Sequence, residues 1–189
     1  MTPVRVDAPE ATGTPGPRIE ESAGTGDVAE RLRLRRRGML RPIDRMLLHS
    51  PPLADGWNSF LGALRQGLTL RGEIRELVIL RIAVLNDAPY EWDSHVAVAR
   101  REGLKDAALR ALRSLHPESS PALSPVQKRV LALTDSMTRV VQVPDATFDP
   151  LRSDFTATEL VELVATIAAY NMVSRFAVAL NINERGEQS

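Results

Sequence analysis

The stretch from Leu77 to Leu85 is apolar at every position except Arg81. A helix that is apolar on all faces has to be buried among other elements, so this stretch predicts a central helix in a helical protein. Thr69 is the predicted N-cap, and Glu73 and Glu76 lie near the positive end of the helix dipole. Because hydrophobic residues make up 43% of the sequence, the chain can surround such a helix with a core.

Apolar spacing and capping signals predict further helices along the chain and no credible strand. The run Val140–Val143 favours β-structure but is too short to found a sheet. The 189 residues suit one domain. The predicted fold class is therefore all-α, with helices starting near Pro42 and covering about 52–66, 69–85, 89–102 and 105–115. A further helix opens at Ser124-Pro125, and a long final helix, capped by Thr156 or Thr158, runs to about Asn181.

The first 26 residues are rich in proline, glycine and threonine and have no hydrophobic period. Such a segment buries too little apolar surface to offset its ordering entropy, so residues 1–26 are predicted to form a disordered arm before a single domain over 27–189. The arginine-rich run Arg31–Arg37 is typical of a solvated helix face or a tail. Binding of an anion or of a partner chain is the alternative interpretation.

Composition excludes several classes of function. Lys and Arg together number 24, as do Asp and Glu, which argues against nucleic acid as the main partner. The absence of cysteine excludes disulfides, thiolate metal sites and a cysteine nucleophile. No signal-peptide pattern opens the chain, and the apolar stretches 77–85 and 160–170 are shorter than a membrane span. These features predict a cytoplasmic protein without membrane contact.

Glu91 and His95 form the most informative pair in the sequence. They lie one helical turn apart on the same face, where a carboxylate orients an imidazole and raises its basicity. This pairing suits a general acid–base catalyst. The alternative is an ion pair on a helix surface.

Glu76 opens the apolar run and is the third candidate catalytic residue. Its helix leads through the turn Asn86–Pro89 into the helix that carries His95, and two helices joined by a short turn lie side by side. Glu76 and His95 are therefore expected to face each other, with the pKa of the carboxyl raised by apolar surroundings. Alternatively, Glu76 pairs with Arg75 or Arg175.

Further side chains are candidates for binding a substrate. Trp57 is a candidate apolar wall or a core residue, and Tyr90 is a candidate hydrogen-bond donor. Arg81 and Arg175 are candidates for holding a substrate carboxylate, or else partners for a buried glutamate. A single Glu-x-x-x-His is too little for a di-metal site, so no metal is predicted.

The residues over 69–104 resemble a known family. The segment Arg75–Arg81, followed by Asn86, Tyr90-Glu91-Trp92, His95 and Gly103-Leu104, is similar to the carboxymuconolactone decarboxylase family, which shares its fold with the AhpD-type alkylhydroperoxidases. The resemblance extends more loosely over about 40–182. It implies an AhpD-like helical bundle, to which this chain adds an extended N-terminal arm.

The resemblance also bears on the chemistry. The peroxidase branch uses a Cys-x-x-Cys pair, and its two positions fall on Ala88 and Glu91 here, while the matching glutamate and histidine are Glu76 and His95. The decarboxylase branch, which this chain resembles more, works without metal or organic cofactor on a small carboxylated lactone. The resemblance further implies a homo-oligomer, a trimer or a multiple of one.

The expected function is thus cofactor-independent acid–base chemistry on a small carbonyl or carboxylated substrate. Decarboxylation, isomerisation, dehydration and lactone opening all fit the same residues. Two alternatives stay open: a non-catalytic helical scaffold or binding protein, and a peroxidase-like protein that depends on the thiols of another molecule.

Overall fold

The computed structural model describes residues 16–183, and this part of the chain contains helices and no strand. The prediction of an all-α fold is confirmed. Two short 3₁₀ turns, Pro117–Ser119 and Asp149–Ser153, join the later helices. The nine α-helices of the described residues are α1 Asp27–Arg35, α2 Pro42–Leu47, α3 Pro51–Gln66, α4 Gly72–Leu85, α5 Pro89–Arg101, α6 Asp106–Leu112, α7 Pro125–Arg139, α8 Asp145–Phe148 and α9 Ala157–Leu180.

Helix α4 lies at the centre of the fold, as its composition predicts. It packs against α5, α7 and α9, and every residue from Glu76 to Ala83 is buried. Burial of whole apolar side chains is worth about 1.5–3 kcal/mol each, so the packing of α4 is a main source of stability. Glu76 and Arg81 are the charged residues that this packing takes out of water.

Thr69 does not cap α4, contrary to the sequence-based prediction. The helix begins at Gly72 with Arg71 as N-cap and no capping side chain. Instead, the backbone amide and hydroxyl of Thr69 donate to the Glu162 carboxylate at 3.1 and 2.9 Å, and the Leu70 amide donates to it at 2.8 Å. A distant carboxylate on α9 satisfies these donors, which local sequence patterns do not reveal. Thr156 does cap α9, through a reciprocal pair with Glu159.

The turn between α4 and α5 is held from α9. The Asn86 side chain donates to Asn171 Oδ1 at 3.1 Å and to Ser174 Oγ at 2.7 Å. Asp87 takes a left-handed backbone conformation with φ of 49°, and the Ala88 amide bonds back to the Ala83 carbonyl at 2.8 Å. This anchored turn fixes the register in which α5 returns along α4.

Residues 1–15 of the predicted N-terminal arm lie outside the described residues. Residues 16–26 run without helix, and they are fixed to the body of the protein. The Arg18 amide bonds to the Leu180 carbonyl at 3.0 Å, and the Asn181 side chain donates to the Gly16 carbonyl at 2.7 Å. Polar contacts at the end of α9, rather than apolar burial, hold this segment, which explains why its composition suggests no order.

Helix α9 runs for 24 residues and is long and apolar enough to cross a membrane by length and composition. The apolar stretch read as 160–170 is thus part of a longer element. Half of its most apolar window is buried inside the protein. Leu163, Ile167 and Tyr170 are fully buried on its inner side, the arrangement of a core helix.

Candidate active site

His95 and Glu76 meet between α5 and α4. The Nδ1 atom of His95 lies 2.8 Å from Oε2 of Glu76, and both side chains are largely shielded from solvent. The other carboxylate oxygen of Glu76 accepts a hydrogen bond from Arg75 Nε at 3.3 Å. Glu76 therefore bridges the imidazole and a guanidinium, so the contact with Arg75 weighed from the sequence coexists with the contact to His95.

Burial lowers the pKa of His95 below its ordinary value of 6.5, although the hydrogen bond and charge of Glu76 oppose this effect. The neutral imidazole is therefore the dominant form at neutral pH. A neutral imidazole whose Nδ1–H donates to Glu76 carries its lone pair on Nε2. The ring of Tyr170 meets the imidazole edge to face, with 5.3 Å between the ring centroids, and this contact limits its rotation.

Glu91 does not contact His95 through a hydrogen bond, contrary to the orienting role predicted for it. It is 2% exposed, and neither carboxylate oxygen has a hydrogen-bond partner among the described residues. Burial, together with the charge of Glu76, raises the pKa of Glu91 well above its ordinary value despite the opposing charge of Arg65. Glu91 is thus a buried carboxyl group that favours its protonated form and is not bonded to the His95–Glu76 pair.

A cavity of about 530 Å³ opens over His95 and Glu76. One side of the cavity is formed by α5, through Ser94 and Val98, and by its C-cap residue Glu102. Arg65 of α3 and Arg75 of α4 also line it. Arg65 Nε donates to the Tyr170 hydroxyl at 3.1 Å, which links α3 to α9 behind the imidazole. Sequence reasoning missed Arg65 and Tyr170 because they lie on helices far from the recognised motif, although the pattern on α3 and α9 would place both towards the core.

The predicted substrate-binding residues lie elsewhere. Arg81 is 1% exposed and pairs with Asp135, with Nε 2.7 Å from Oδ1, while its Nη1 donates to the Leu112 and Ser114 carbonyls. Arg175 is on the outer side of α9 and donates to the Thr138 carbonyl at 3.3 Å. In both cases the guanidinium holds together parts of the fold, and it does not line the cavity.

The two aromatic candidates are also absent from the cavity wall. Trp57 packs against Phe176 with ring centroids 5.1 Å apart, which joins α3 to α9. Tyr90 is 7% exposed and belongs to the core. The sequence pattern weighed a core role for Trp57, and the structure places it there.

Comparison with known proteins shows what the central part of the chain is similar to. The model of the carboxymuconolactone decarboxylase family matches residues 51–135. Over these residues, which are a little under half of the chain, the protein is similar to that family. The match spans α3 to most of α7 and includes Glu76, Glu91 and His95. The sequence contains no cysteine, so Ala88 and Glu91 stand at the two cysteine positions of the peroxidase branch.

The relatives and structural neighbours agree with this fold. The uncharacterized protein YdfG of Bacillus subtilis (strain 168) is 26% identical over 108 residues, which cover 56% of this chain and 72% of that protein. A protein of unknown function from Agrobacterium tumefaciens, described as a candidate AhpD antioxidant defence protein, superposes with a TM-score of 0.68 at 23% identity and covers 75% of this chain and 97% of its own. The AhpD core of an uncharacterized peroxidase-related protein from Ralstonia eutropha JMP134 gives a TM-score of 0.71 at 19% identity, covering 85% and 86%.

Proposed function

We propose that this protein is an acid–base enzyme of the carboxymuconolactone decarboxylase family, acting on a small carbonyl or carboxylated substrate without a cofactor. The observation that carries the proposal is the 2.8 Å contact between His95 Nδ1 and Glu76 Oε2 at the wall of the cavity. Decarboxylation, isomerisation, dehydration and lactone opening all require a proton to move at one carbon or oxygen atom. A buried neutral imidazole held by a carboxylate is suited to that step.

In this proposal Nε2 of His95 takes a proton from the substrate, and the imidazolium that forms is stabilised by the Glu76 carboxylate. The charge pair gains strength because both side chains are shielded from water. Arg75 Nε donates a hydrogen bond to Oε1 of the same carboxylate and holds it in place. Glu91 is not part of the cavity wall, so in this proposal it does not contact the substrate and acts only through its charge state.

The direct test is proton exchange on a panel of small keto acids and carboxylated lactones in D₂O, followed by NMR. We expect the wild-type protein to exchange or convert at least one of them, and His95→Gln to lose that activity. If His95→Gln converts the same compound as fast as the wild type, the acid–base proposal is wrong and a binding or scaffold function replaces it.

The chain alone is not expected to reduce peroxides with a dithiol. Thiolate attack is the step that such a reaction needs, and Ala88 and Glu91 occupy the two cysteine positions. The measurement is hydroperoxide consumption with dithiothreitol or a dihydrolipoyl donor. A double variant, Ala88→Cys with Glu91→Cys, tests whether the pair is the missing element. A wild-type rate above the uncatalysed background would contradict the prediction.

We further propose that the chain self-associates through the outer face of α9. Val161, Ala168, Met172 and Ala179 follow helical spacing along this face and are exposed, with Val161 at 70%. Exposed apolar side chains that recur along one helix in this way are typical of a surface that another subunit covers. We expect sedimentation at micromolar concentration to give an oligomer and Met172→Glu to weaken it at least tenfold, whereas Ala132→Glu on the exposed side of α7 leaves the mass unchanged. A monomeric wild-type protein would refute the proposal.

A further inference from the structure

The outer wall of the cavity comes from the segment that joins α1 to α2. Arg35, Arg36, Arg37 and Arg41 line the cavity together with Arg65 and Arg75, against only two glutamates, Glu76 and Glu102. The whole chain has equal numbers of acidic and basic residues. The lining of this cavity is therefore far more basic than the chain as a whole. Four of its six arginines precede the segment from residue 51 that matches the family model.

Most of this positive charge is uncompensated. Arg36 is paired with Asp44 and Arg75 with Glu76 and Glu102. Within residues 16–183, Arg35, Arg37 and Arg41 form no ion pair. Burial, followed by repulsion from Arg36, lowers the pKa of Arg35, and Arg65 and Arg41 add to the repulsion. Guanidinium groups held together at such a cost are typical of a site whose anion supplies the missing negative charge.

Contacts within the protein hold the segment between α1 and α2 in place. Asp44 is 3% exposed and accepts hydrogen bonds from Arg36 Nη2 at 2.9 Å and from the Arg41 amide at 3.0 Å. The chain reverses at Arg37 and Gly38, which have φ values of 58° and 104°, and the Gly38 amide closes onto the Arg33 carbonyl at 2.9 Å. The arginines on either side of this reversal are thereby presented to the cavity as a preformed wall.

We propose that residues 35–41 form a specificity wall that selects a small polyanion, a molecule with at least two carboxylate or phosphoryl groups. One anionic group lies between Arg65 and Arg75 beside His95, and the other lies against Arg35 and Arg37. A monoanion can form ion pairs with only one of these two pairs of arginines, whereas a polyanion can form ion pairs with both. The inference rests on the proposed function only in that it takes this cavity as the reaction site.

Binding is tested without any turnover, by calorimetry of the full chain with pyrophosphate, tricarballylate and acetate at constant ionic strength. We expect one molecule of pyrophosphate or tricarballylate per cavity and at least tenfold weaker binding of acetate. The two polyanions distinguish phosphoryl from carboxylate preference. Each of Arg35→Gln and Arg37→Gln is expected to weaken polyanion binding about tenfold or more, the usual effect of losing a charged hydrogen bond.

Arg31→Gln is the matched control, because Arg31 lies on the same helix but pairs with Asp55 on the surface. It removes the same charge and should leave affinity within twofold. The NMR signals of the three histidine rings give a second measurement. The polyanion should shift the signals of His95 and leave those of His49 and His116 unchanged. If Arg31→Gln loses as much polyanion affinity as Arg35→Gln, or if the polyanion binds without shifting the NMR signals of His95, then binding is general attraction to a positive surface and the proposal is wrong. His95→Gln should keep binding, so failure of the acid–base chemistry and failure of this wall are distinguishable.

Discussion

Replacing His95 with alanine is expected to lower turnover of the substrate found in the exchange panel by about 10²–10⁴-fold, the usual span for general acid–base groups. The imidazole brings a nitrogen lone pair of a neutral ring to the cavity wall, and such a lone pair takes up a proton near neutral pH. The fold should survive, because the side chain contributes a hydrogen bond to Glu76 and an aromatic contact to Tyr170 rather than core volume. Rates and thermal unfolding should be measured on the same samples.

His116→Ala is the control for this prediction, because His116 is exposed in a loop and lines no described cavity. Glu76→Gln keeps the shape of the side chain but loses the charge that stabilises the imidazolium, so a smaller loss of activity is expected. Because the pKa of His95 is lowered, the wild-type rate should fall on the acid side only below pH 6.5. An acid limb above that value would contradict the assignment of His95 as the base.

Glu91→Met is expected to stabilise the protein by about 1–3 kcal/mol at pH 8, the cost of leaving a buried polar group unsatisfied. The Glu91 carboxylate is 2% exposed and has no hydrogen-bond partner in the described part of the chain. Methionine has a similar volume and needs no partner. Arg65 keeps its hydrogen bond to the Tyr170 hydroxyl and its place at the cavity, so its guanidinium is not stranded by the substitution.

The gain should depend on pH in a defined direction. The pKa of Glu91 is higher in the folded state than the ordinary value of 4.5, so the folded protein binds this proton more tightly. The stability that Glu91 contributes through its raised pKa is therefore fully present below pH 4.5, and it is lost as the pH rises through the folded-state pKa. Denaturant unfolding of both proteins from pH 4 to pH 8 should show curves that diverge towards high pH.

Glu118→Met, at an exposed loop position, serves as the control and should leave the free energy of unfolding nearly unchanged at every pH. If Glu91→Met is instead less stable than the wild type at pH 8, then the Glu91 carboxylate is satisfied in solution by a group that the chain itself does not supply. In that case Glu91 would be one of the reacting groups and not a buried carboxyl group without a partner.

The pairing of Glu76 with His95 could be predicted from sequence because it depends on local features. The apolar run of α4 demands burial, the turn at Asn86–Pro89 reverses the chain, and the distances from that turn set Glu76 opposite His95. That Glu76 rather than Glu91 holds the imidazole was not predictable. Helical spacing places Glu91 and His95 on one face, but only the packing of α5 on α4 determines which carboxylate the imidazole reaches.

The amino-acid sequence by itself determined the all-α fold, the central position of α4 and the lack of a cysteine nucleophile, because these follow from periodicity and residue types. The tertiary structure decided what distant residues do for one another. It paired Arg81 with Asp135, satisfied Thr69 with Glu162 and brought Arg35 and Arg37 to the cavity that holds His95. Such contacts join residues separated by many turns of helix, and they depend on the angles at which the helices pack, which no local pattern encodes.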